Sequence, residues 1–228
     1  MRERKQVEAN EITISYLVDG PADAPVVVLV HGHGGLAEDW HQVLDDLSAD
    51  HRVYAMELRG HGHSTWAKQY SLELFAGDVS GFVAALGLSD LVLVGHSLGG
   101  IAAVLAAEAR PVWLSKLVLE DAPVPRPGWM RREMPPRPAE PQSHDWDNTT
   151  PAITRQFNRP DPAWWQDLSR INVPTLAILG GPTSHLPQQN LIGAAERIPN
   201  AEIETINVGH LIHDVAPQEY LRLLRKFV

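Results

Sequence analysis

The chain has 228 residues, a formal charge of −9, no cysteine, and hydrophobic residues at 44% of its positions. This length and composition fit one globular domain and exclude a disordered or fibrous chain. The acidic balance offers nucleic acids and anionic membranes no basic surface. Without cysteine, disulfide bonds, thiolate catalysis and cysteine-ligated metals are excluded.

The apolar runs, such as Val26–Val30, are far shorter than the ~20 residues of a membrane-spanning helix. The first residues, Met-Arg-Glu-Arg-Lys, lack the apolar stretch of a signal peptide behind them. We therefore expect a cytoplasmic protein that binds no membrane and no nucleic acid and works as a monomer or homodimer.

Short β-branched runs alternate with helical patterns along the chain, which is typical of an α/β protein. Near-continuous apolar runs such as Val-Val-Val-Leu-Val indicate strands that are buried on both faces. We predict a mostly parallel, twisted sheet of about seven to eight strands with helices on both faces. The strand candidates are residues 12–16, 25–30, 52–57, 91–95, 116–120, 175–180 and 202–206.

Three helices are predicted from apolar spacing. The first runs from Leu72 to Leu86, with Ser71 placed to cap its first amides. The segment Leu98–Ala109 is small and apolar nearly all round, as expected of a helix buried against the sheet, and Pro217–Val228 is amphipathic.

A change of composition marks residues 123–168, where we predict a small lid inserted into a core made of residues 1–122 and 169–228. Ten of the 18 prolines fall between Pro123 and Pro162, so only short helices are expected there. The alternative is a loosely ordered loop. Three indoles argue against that alternative, those of Trp146, Trp164 and Trp165.

The segment Gly95-His-Ser97-Leu-Gly99 joins a predicted strand to a predicted helix. A Gly-x-Ser-x-Gly turn of this kind is so tight that side chains at the glycines would collide, and it exposes the serine hydroxyl at its apex. We predict Ser97 as a nucleophile, against the alternative of a simple glycine turn.

A serine nucleophile needs a general base. His210 follows the last predicted strand and is the candidate base, and His213 is the alternative.

These features resemble the α/β-hydrolase superfamily over essentially the whole chain, in the form of a serine esterase or lactonase with a short lid. The resemblance is carried by His31-Gly-His-Gly-Gly35, Glu57-Leu-Arg-Gly-His-Gly-His-Ser64, the Ser97 turn and Gly209-His210. It implies an oxyanion hole built from the backbone amides of His33 and Leu98.

The acid of the expected triad departs from the family's commonest pattern, because no carboxylate follows the strand at residues 175–180. Some members carry the acid one strand earlier, which makes Asp121 the candidate. Strand alternation places Asp121 on the side of Leu117 and Leu119. The alternatives are Glu120, a lid carboxylate such as Asp145, no acid at all, or a loop-capping role for Asp121.

We expect a small-molecule acyl substrate, an ester or lactone, with Trp129, Trp146 and His185 as substrate-binding candidates. His185 and its neighbour Ser184 either bond to the His210 loop or face the pocket. No cofactor is required.

The same fold leaves open a thioesterase that uses a basic lid, a C–C bond hydrolase, an acyl transferase or a module that only binds a small molecule. The basic lid residues are Arg126, Arg131, Arg132 and Arg137.

Two His-x-His pairs, His31/His33 and His61/His63, are candidate metal ligands. Both pairs lie in stretches that the resemblance already explains, so we expect no metal site. The glycines at 32–35 are not followed by the Gly-Lys-Ser/Thr of a phosphate-binding loop.

Overall fold

A computed structural model describes residues 2–129 and 131–228. It contains one eight-stranded sheet in the order β1-β2-β4-β3-β5-β6-β7-β8. The hairpin β1–β2 and the pair β2–β4 are antiparallel, and the other pairs are parallel. The strands are β1 Glu3–Ala9, β2 Ile12–Asp19, β3 Val26–Val30, β4 Arg52–Met56, β5 Leu91–His96, β6 Leu114–Glu120, β7 Thr175–Leu179 and β8 Ala201–Thr205.

Helices cover both faces of this sheet, which confirms the predicted fold class. They are α1 His41–Leu47, α2 Leu72–Ala85, α3 Leu98–Glu108, α4 Trp146–Asn158, α5 Pro162–Gln166, α6 Gln188–Ala195, α7 Ile212–Val215 and α8 Pro217–Phe227. One core layer contains α2 and α3, and the other contains α1 and α8. In the part of the chain that the structure describes, no helix is long and apolar enough to cross a membrane.

The seven predicted strands and three predicted helices are present, with ends shifted by three residues or fewer. The cap is also present, because Ser71 Oγ accepts a hydrogen bond from the Leu74 amide at 3.1 Å. Strand β1 was not predicted. Its residues are mostly charged, because it lies at the sheet edge where no residue is fully buried.

The segment between β6 and β7 was predicted to hold only short helices, and this was wrong for α4. That helix has 13 residues and contains Pro151, whose ring removes one helical hydrogen bond. Burial compensates, because Ala152, Ile153 and Phe157 join the main core layer. The segment is therefore packed against the core rather than loosely ordered; its treatment as a separate lid remains a prediction.

Candidate active site

Ser97 stands at the turn between β5 and α3, in a conformation that serine rarely adopts, with φ 51° and ψ −114°. Such a backbone costs on the order of 1–3 kcal/mol and persists only where its surroundings impose it. The close packing of the turn supplies that constraint. A Cβ at Gly95 would lie 2.5 Å from the Gly99 oxygen, and one at Gly99 would lie 2.3 Å from the Val30 oxygen.

The Ser97 side chain is partly exposed and makes no hydrogen bond with any residue the structure describes. It lies at the N-terminus of α3, whose first amides have no intrahelical acceptor. The loop that the sequence predicts to form the oxyanion hole, residues 31–35 and called the oxyanion loop below, approaches Ser97 closely, because a Cβ on Gly32 would be 3.2 Å from Ser97 Cβ. The hydroxyl thus meets a helix N-terminus that favours developing negative charge.

Asp121 and His210 form a hydrogen-bonded pair at this edge of the sheet, with Nδ1 of the imidazole 2.8 Å from Oδ2 of the carboxylate. Because the carboxylate accepts from Nδ1–H, the other ring nitrogen of a neutral His210 carries a lone pair. His96, which precedes Ser97, donates from Nε2 to the His210 carbonyl at 3.0 Å. This bond ties the histidine loop to the Ser97 turn.

The loop after β7 supplies no acid, and instead supplies donors to Asp121. Oδ1 accepts from the Gly180 amide at 3.0 Å and from Gln188 Nε2 at 3.1 Å, and Oδ2 accepts from Ser184 Oγ at 2.6 Å. Burial alone raises the pKa of Asp121, but the hydrogen bonds from His210 and these donors outweigh it and hold the pKa below its ordinary value. Asp121 is therefore ionised at neutral pH.

A second carboxylate–imidazole pair lies one residue away. Glu120 Oε1 accepts from the His213 amide at 2.9 Å, and His213 Nδ1 lies 2.8 Å from both carboxylate oxygens. Both side chains are buried, and the His213 ring stacks on Trp40 at 4.2 Å. The structure thus pairs Asp121 with His210 and Glu120 with His213.

His33 connects the oxyanion loop to α4. Its backbone N–H donates no hydrogen bond within the described part of the chain, and its Nε2 lies 3.2 Å from Thr149 Oγ1 and 3.3 Å from Thr150 Oγ1. Burial, followed by the neighbouring His144, His31 and Arg132, lowers the pKa of His33 to about 3. A neutral side chain therefore anchors this loop, and its free amide remains available.

Four imidazoles pack near this loop, but they do not assemble a metal site. His31 and His61 use both ring nitrogens on backbone groups, including the amides of Leu58 and Gly34 at 3.1 Å. Both ring nitrogens of His144 are buried without a partner in the described structure. Among residues 2–129 and 131–228, no group of three or more His, Cys, Asp or Glu is arranged to hold a metal ion.

The three predicted substrate-binding side chains occupy different surroundings. Trp146 lines a cavity of about 400 Å³ together with His33, Arg132 and Thr150. His185 is exposed and its ring lies 4.5 Å from that of His210. Trp129 packs against a small apolar cluster that contains Leu179, Leu186 and Leu191.

Sequence reasoning missed the donors around Asp121 and the partner of Glu120. For Ser184 the sequence predicted either a bond to the His210 loop or a position facing the pocket, and in the structure its hydroxyl bonds to Asp121. No sequence pattern predicted the contact between Gln188 and Asp121. The lid carboxylate Asp145 accepts from Tyr70 Oη at 2.8 Å and from Asn148, away from His210.

Comparison with known proteins identifies the family to which this fold belongs. The sequence model of the alpha/beta hydrolase family matches residues 27–223. The sn-1-specific diacylglycerol lipase ABHD11 of Mus musculus is 26% identical, over 99% of this chain and 88% of the lipase. The structure of carboxylesterase CesB from Bacillus subtilis matches with a TM-score of 0.77 at 20% identity, over 100% of this chain and 91% of the esterase.

A further solved structure, Est816, is described as an N-acyl homoserine lactone degrading enzyme. It matches with a TM-score of 0.78 at 23% identity, over 98% of this chain and all of that one. At these identities the two solved structures share the fold with this chain, and the resemblance predicted from the sequence motifs is confirmed. Because the family match spans residues 27–223, the chain belongs to the alpha/beta hydrolase family.

Proposed function

We propose that the protein is a serine hydrolase that cleaves a carboxylic ester or lactone through a Ser97–His210–Asp121 triad. The observation that carries the proposal is the 2.8 Å contact between Asp121 Oδ2 and His210 Nδ1, tied through His96 to the strained Ser97 turn. The substrate is a small acyl compound, and the chemistry requires no cofactor.

In the first half of the reaction, Ser97 Oγ attacks the carbonyl carbon while His210 Nε2 takes the hydroxyl proton. Asp121 holds the imidazole in the tautomer that leaves Nε2 free, and it stabilises the imidazolium that forms. The tetrahedral intermediate collapses as the carbon–oxygen bond breaks, and His210 returns the proton to the leaving alkoxide. For a lactone, that alkoxide stays attached to the acyl chain.

In the second half, His210 takes a proton from water, and the resulting hydroxide attacks the acyl-enzyme carbonyl. The second intermediate expels Ser97 Oγ, which regains its proton from His210, and the carboxylic acid leaves. In both halves the amides of His33 and Leu98 stabilise the oxyanion. Removal of one such donor typically costs about 10²–10³ in rate.

The lid residues bind the parts of the substrate that do not react. Trp146 and His33 line the same cavity, so an acyl chain in that cavity approaches the oxyanion loop. His185 lies beside His210 at the other side of the site and contacts the leaving group. Trp129 acts indirectly, through the packing of the small apolar cluster.

The test is hydrolysis of 4-nitrophenyl esters from acetate to octanoate by the wild type and by Ser97→Ala. We expect turnover by the wild type, none above background by the variant, and stoichiometric labelling of the wild type alone by a fluorophosphonate. Ser115→Ala is the matched control, because Ser115 Oγ bonds to the Leu91 carbonyl away from this site.

Failure of both assays would contradict the proposal. A wild type that hydrolyses no ester and resists the fluorophosphonate has no activated serine, which would favour a module that only binds a small molecule. Labelling without ester turnover would leave the nucleophile in place and overturn the ester or lactone as substrate, in favour of a thioester or a carbon–carbon bond.

A further inference from the structure

Arg132 is a half-buried cation without a counter-charge. No carboxylate of the described residues lies within 4 Å of its guanidinium, which also makes no hydrogen bond to them. Its Cζ instead lies 3.8 Å from the centre of the Phe157 ring. In contrast, the exposed Arg137 of the same segment pairs with Asp147 at 2.8 Å. Buried cations are rare in proteins unless an anion accompanies them.

The position of Arg132 is fixed by the end of α4. Asn158 Oδ1 accepts from the Arg132 amide at 2.7 Å, and Asn158 Nδ2 donates to the Arg132 carbonyl at 2.9 Å. Phe157 holds the guanidinium from one side. A side chain held in this way loses little entropy when it binds a ligand, which is the usual basis of a preorganised site.

The cavity beside the guanidinium reaches His33, which belongs to the loop that approaches Ser97. Arg132 lines the cavity of about 400 Å³ that also contains Trp146, Thr150 and the side chain of His33. Its positive charge contributes, after burial and neighbouring histidines, to the lowered pKa of both His33 and His185. The His185 ring lies 4.5 Å from the His210 ring. An anion bound at Arg132 therefore shares one cavity with the side chain of His33.

Carboxylate is the anion that this arrangement favours. One guanidinium presents two parallel N–H groups that match the two oxygens of a carboxylate. Arg131, Arg132 and Glu133 all line this cavity, so two positive charges and one negative charge leave it a formal charge of +1, which matches a carboxylate monoanion better than a phosphate dianion.

We propose that Arg132 binds a carboxylate of the substrate, so that the protein acts on esters or lactones that carry a free carboxylate at the acyl end distant from the scissile bond. The inference rests on the proposed function, because it assigns the substrate class of that same site.

The test compares two 4-nitrophenyl esters with acyl groups of six carbons, the monoester of adipic acid and the hexanoate. They differ only in a terminal carboxylate or methyl group. In the wild type we expect the higher kcat/KM for the adipate ester. In Arg132→Gln we expect the adipate-to-hexanoate ratio to fall by about tenfold to a hundredfold, the usual range for a lost hydrogen bond to a charged group.

Two controls separate this effect from damage to the fold. The kcat/KM for the hexanoate should change by less than about threefold in Arg132→Gln, because the neutral ester does not use the guanidinium. Arg137→Gln removes an exposed charge of the same segment that does not line the cavity and should leave the ratio unchanged. An unchanged ratio in Arg132→Gln, or an equal fall in Arg137→Gln, would overturn the assignment.

A binding measurement tests whether Arg132 binds a carboxylate even if the proposed function is wrong. Calorimetric titration of Ser97→Ala with monomethyl adipate should give a Kd that rises at least tenfold when Arg132→Gln is added. Equal affinity would overturn the inference, whatever the ester assays show. A fall in acyl-coenzyme A turnover without any effect on adipate would also overturn it, since the anion bound would then be a phosphate.

Discussion

Two carboxylate–imidazole pairs begin at adjacent residues, Glu120 and Asp121, at the end of β6, and they lie in different surroundings. The imidazole of the Asp121–His210 pair is 17% exposed, and His96, which precedes Ser97, bonds to the His210 carbonyl. The pair Glu120–His213 is closed, with an imidazole only 4% exposed that stacks on Trp40. Similar chemical groups therefore lie in different surroundings, because Glu120 is the last residue of β6 and Asp121 follows it in a left-handed turn conformation, with φ 41°.

The electrostatics of the two pairs follow this difference. Burial lowers the pKa of His213, but the charge and hydrogen bonds of Glu120 outweigh it and raise that pKa above its ordinary value. Burial raises the pKa of Glu120, but the charge and hydrogen bonds of His213 outweigh burial and lower that pKa below its ordinary value. Glu120–His213 is thus a fixed ion pair that holds α7 against the sheet.

The largest expected effect is that of Asp121→Asn on catalysis. The amide no longer fixes the tautomer of His210, so kcat for a 4-nitrophenyl ester should fall by about 10⁴, as in other triads. Steady-state kinetics on protein of verified thermal stability measure this. If Glu120→Gln gave that loss instead and Asp121→Asn stayed within tenfold of wild type, the roles of the two pairs would be reversed.

Glu120→Gln should act mainly on stability. The change leaves His213 buried without its counter-charge, so the free energy of unfolding should fall by about 3 kcal/mol, the lower range for a broken buried ion pair. Urea denaturation measures this. Glu140→Gln, at an exposed position, is the control and should be neutral. A loss of less than about 0.5 kcal/mol in Glu120→Gln would show that the buried pair does not support the fold.

The stability difference between wild type and Glu120→Gln should depend on pH. The raised pKa of His213 means that its contribution is complete below its ordinary value of 6.5 and is lost as pH rises through the folded pKa. The lowered pKa of Glu120 means that its contribution is complete above 4.5 and is lost as pH falls. The difference should therefore be largest between pH 4.5 and 6.5, and a flat profile from pH 5.5 to 9 would contradict the ion pair.

The smallest expected effect on kcat concerns the hydrogen-bond donors around Asp121 in the Asp121–His210 pair. Ser184→Ala removes the 2.6 Å hydrogen bond to Asp121 Oδ2 and should lower kcat by about tenfold. Thr183→Ala, an exposed hydroxyl on the same loop, should not lower it. Equal rates in the two variants would mean that Ser184 does not help to position the carboxylate.

The contrast between the pairs was only partly predictable from the sequence. Strand alternation was sufficient to prefer Asp121 over Glu120 as the partner of His210, and glycines marked the Ser97 turn. The partner of Glu120 was not predictable, because His213 lies 93 residues further along the chain and no family motif joins the two residues, as one does for Asp121 and His210. The same holds for Gln188, 67 residues from Asp121.

The fold itself was more predictable than the contacts within it. Buried parallel strands require continuous apolar runs, and these appear directly in the sequence. Strand β1 and helix α4 were less visible, since the first lies at an exposed edge and the second contains Pro151. In both cases tertiary pairing or packing overrides the local preference of the residues.

The attachment of His33 to Thr149 and Thr150 limits how this protein can be modified. Two backbone hydrogen bonds reinforce the attachment, from the Gly62 amide to the Ser143 carbonyl and from the Asp145 amide to the Gly60 carbonyl, each 2.8 Å. A segment exchanged with a relative to alter selectivity would therefore also shift the loop that holds the His33 amide. Changes of substrate range are better sought by single substitutions on the cavity side of α4 than by transplanting the whole segment.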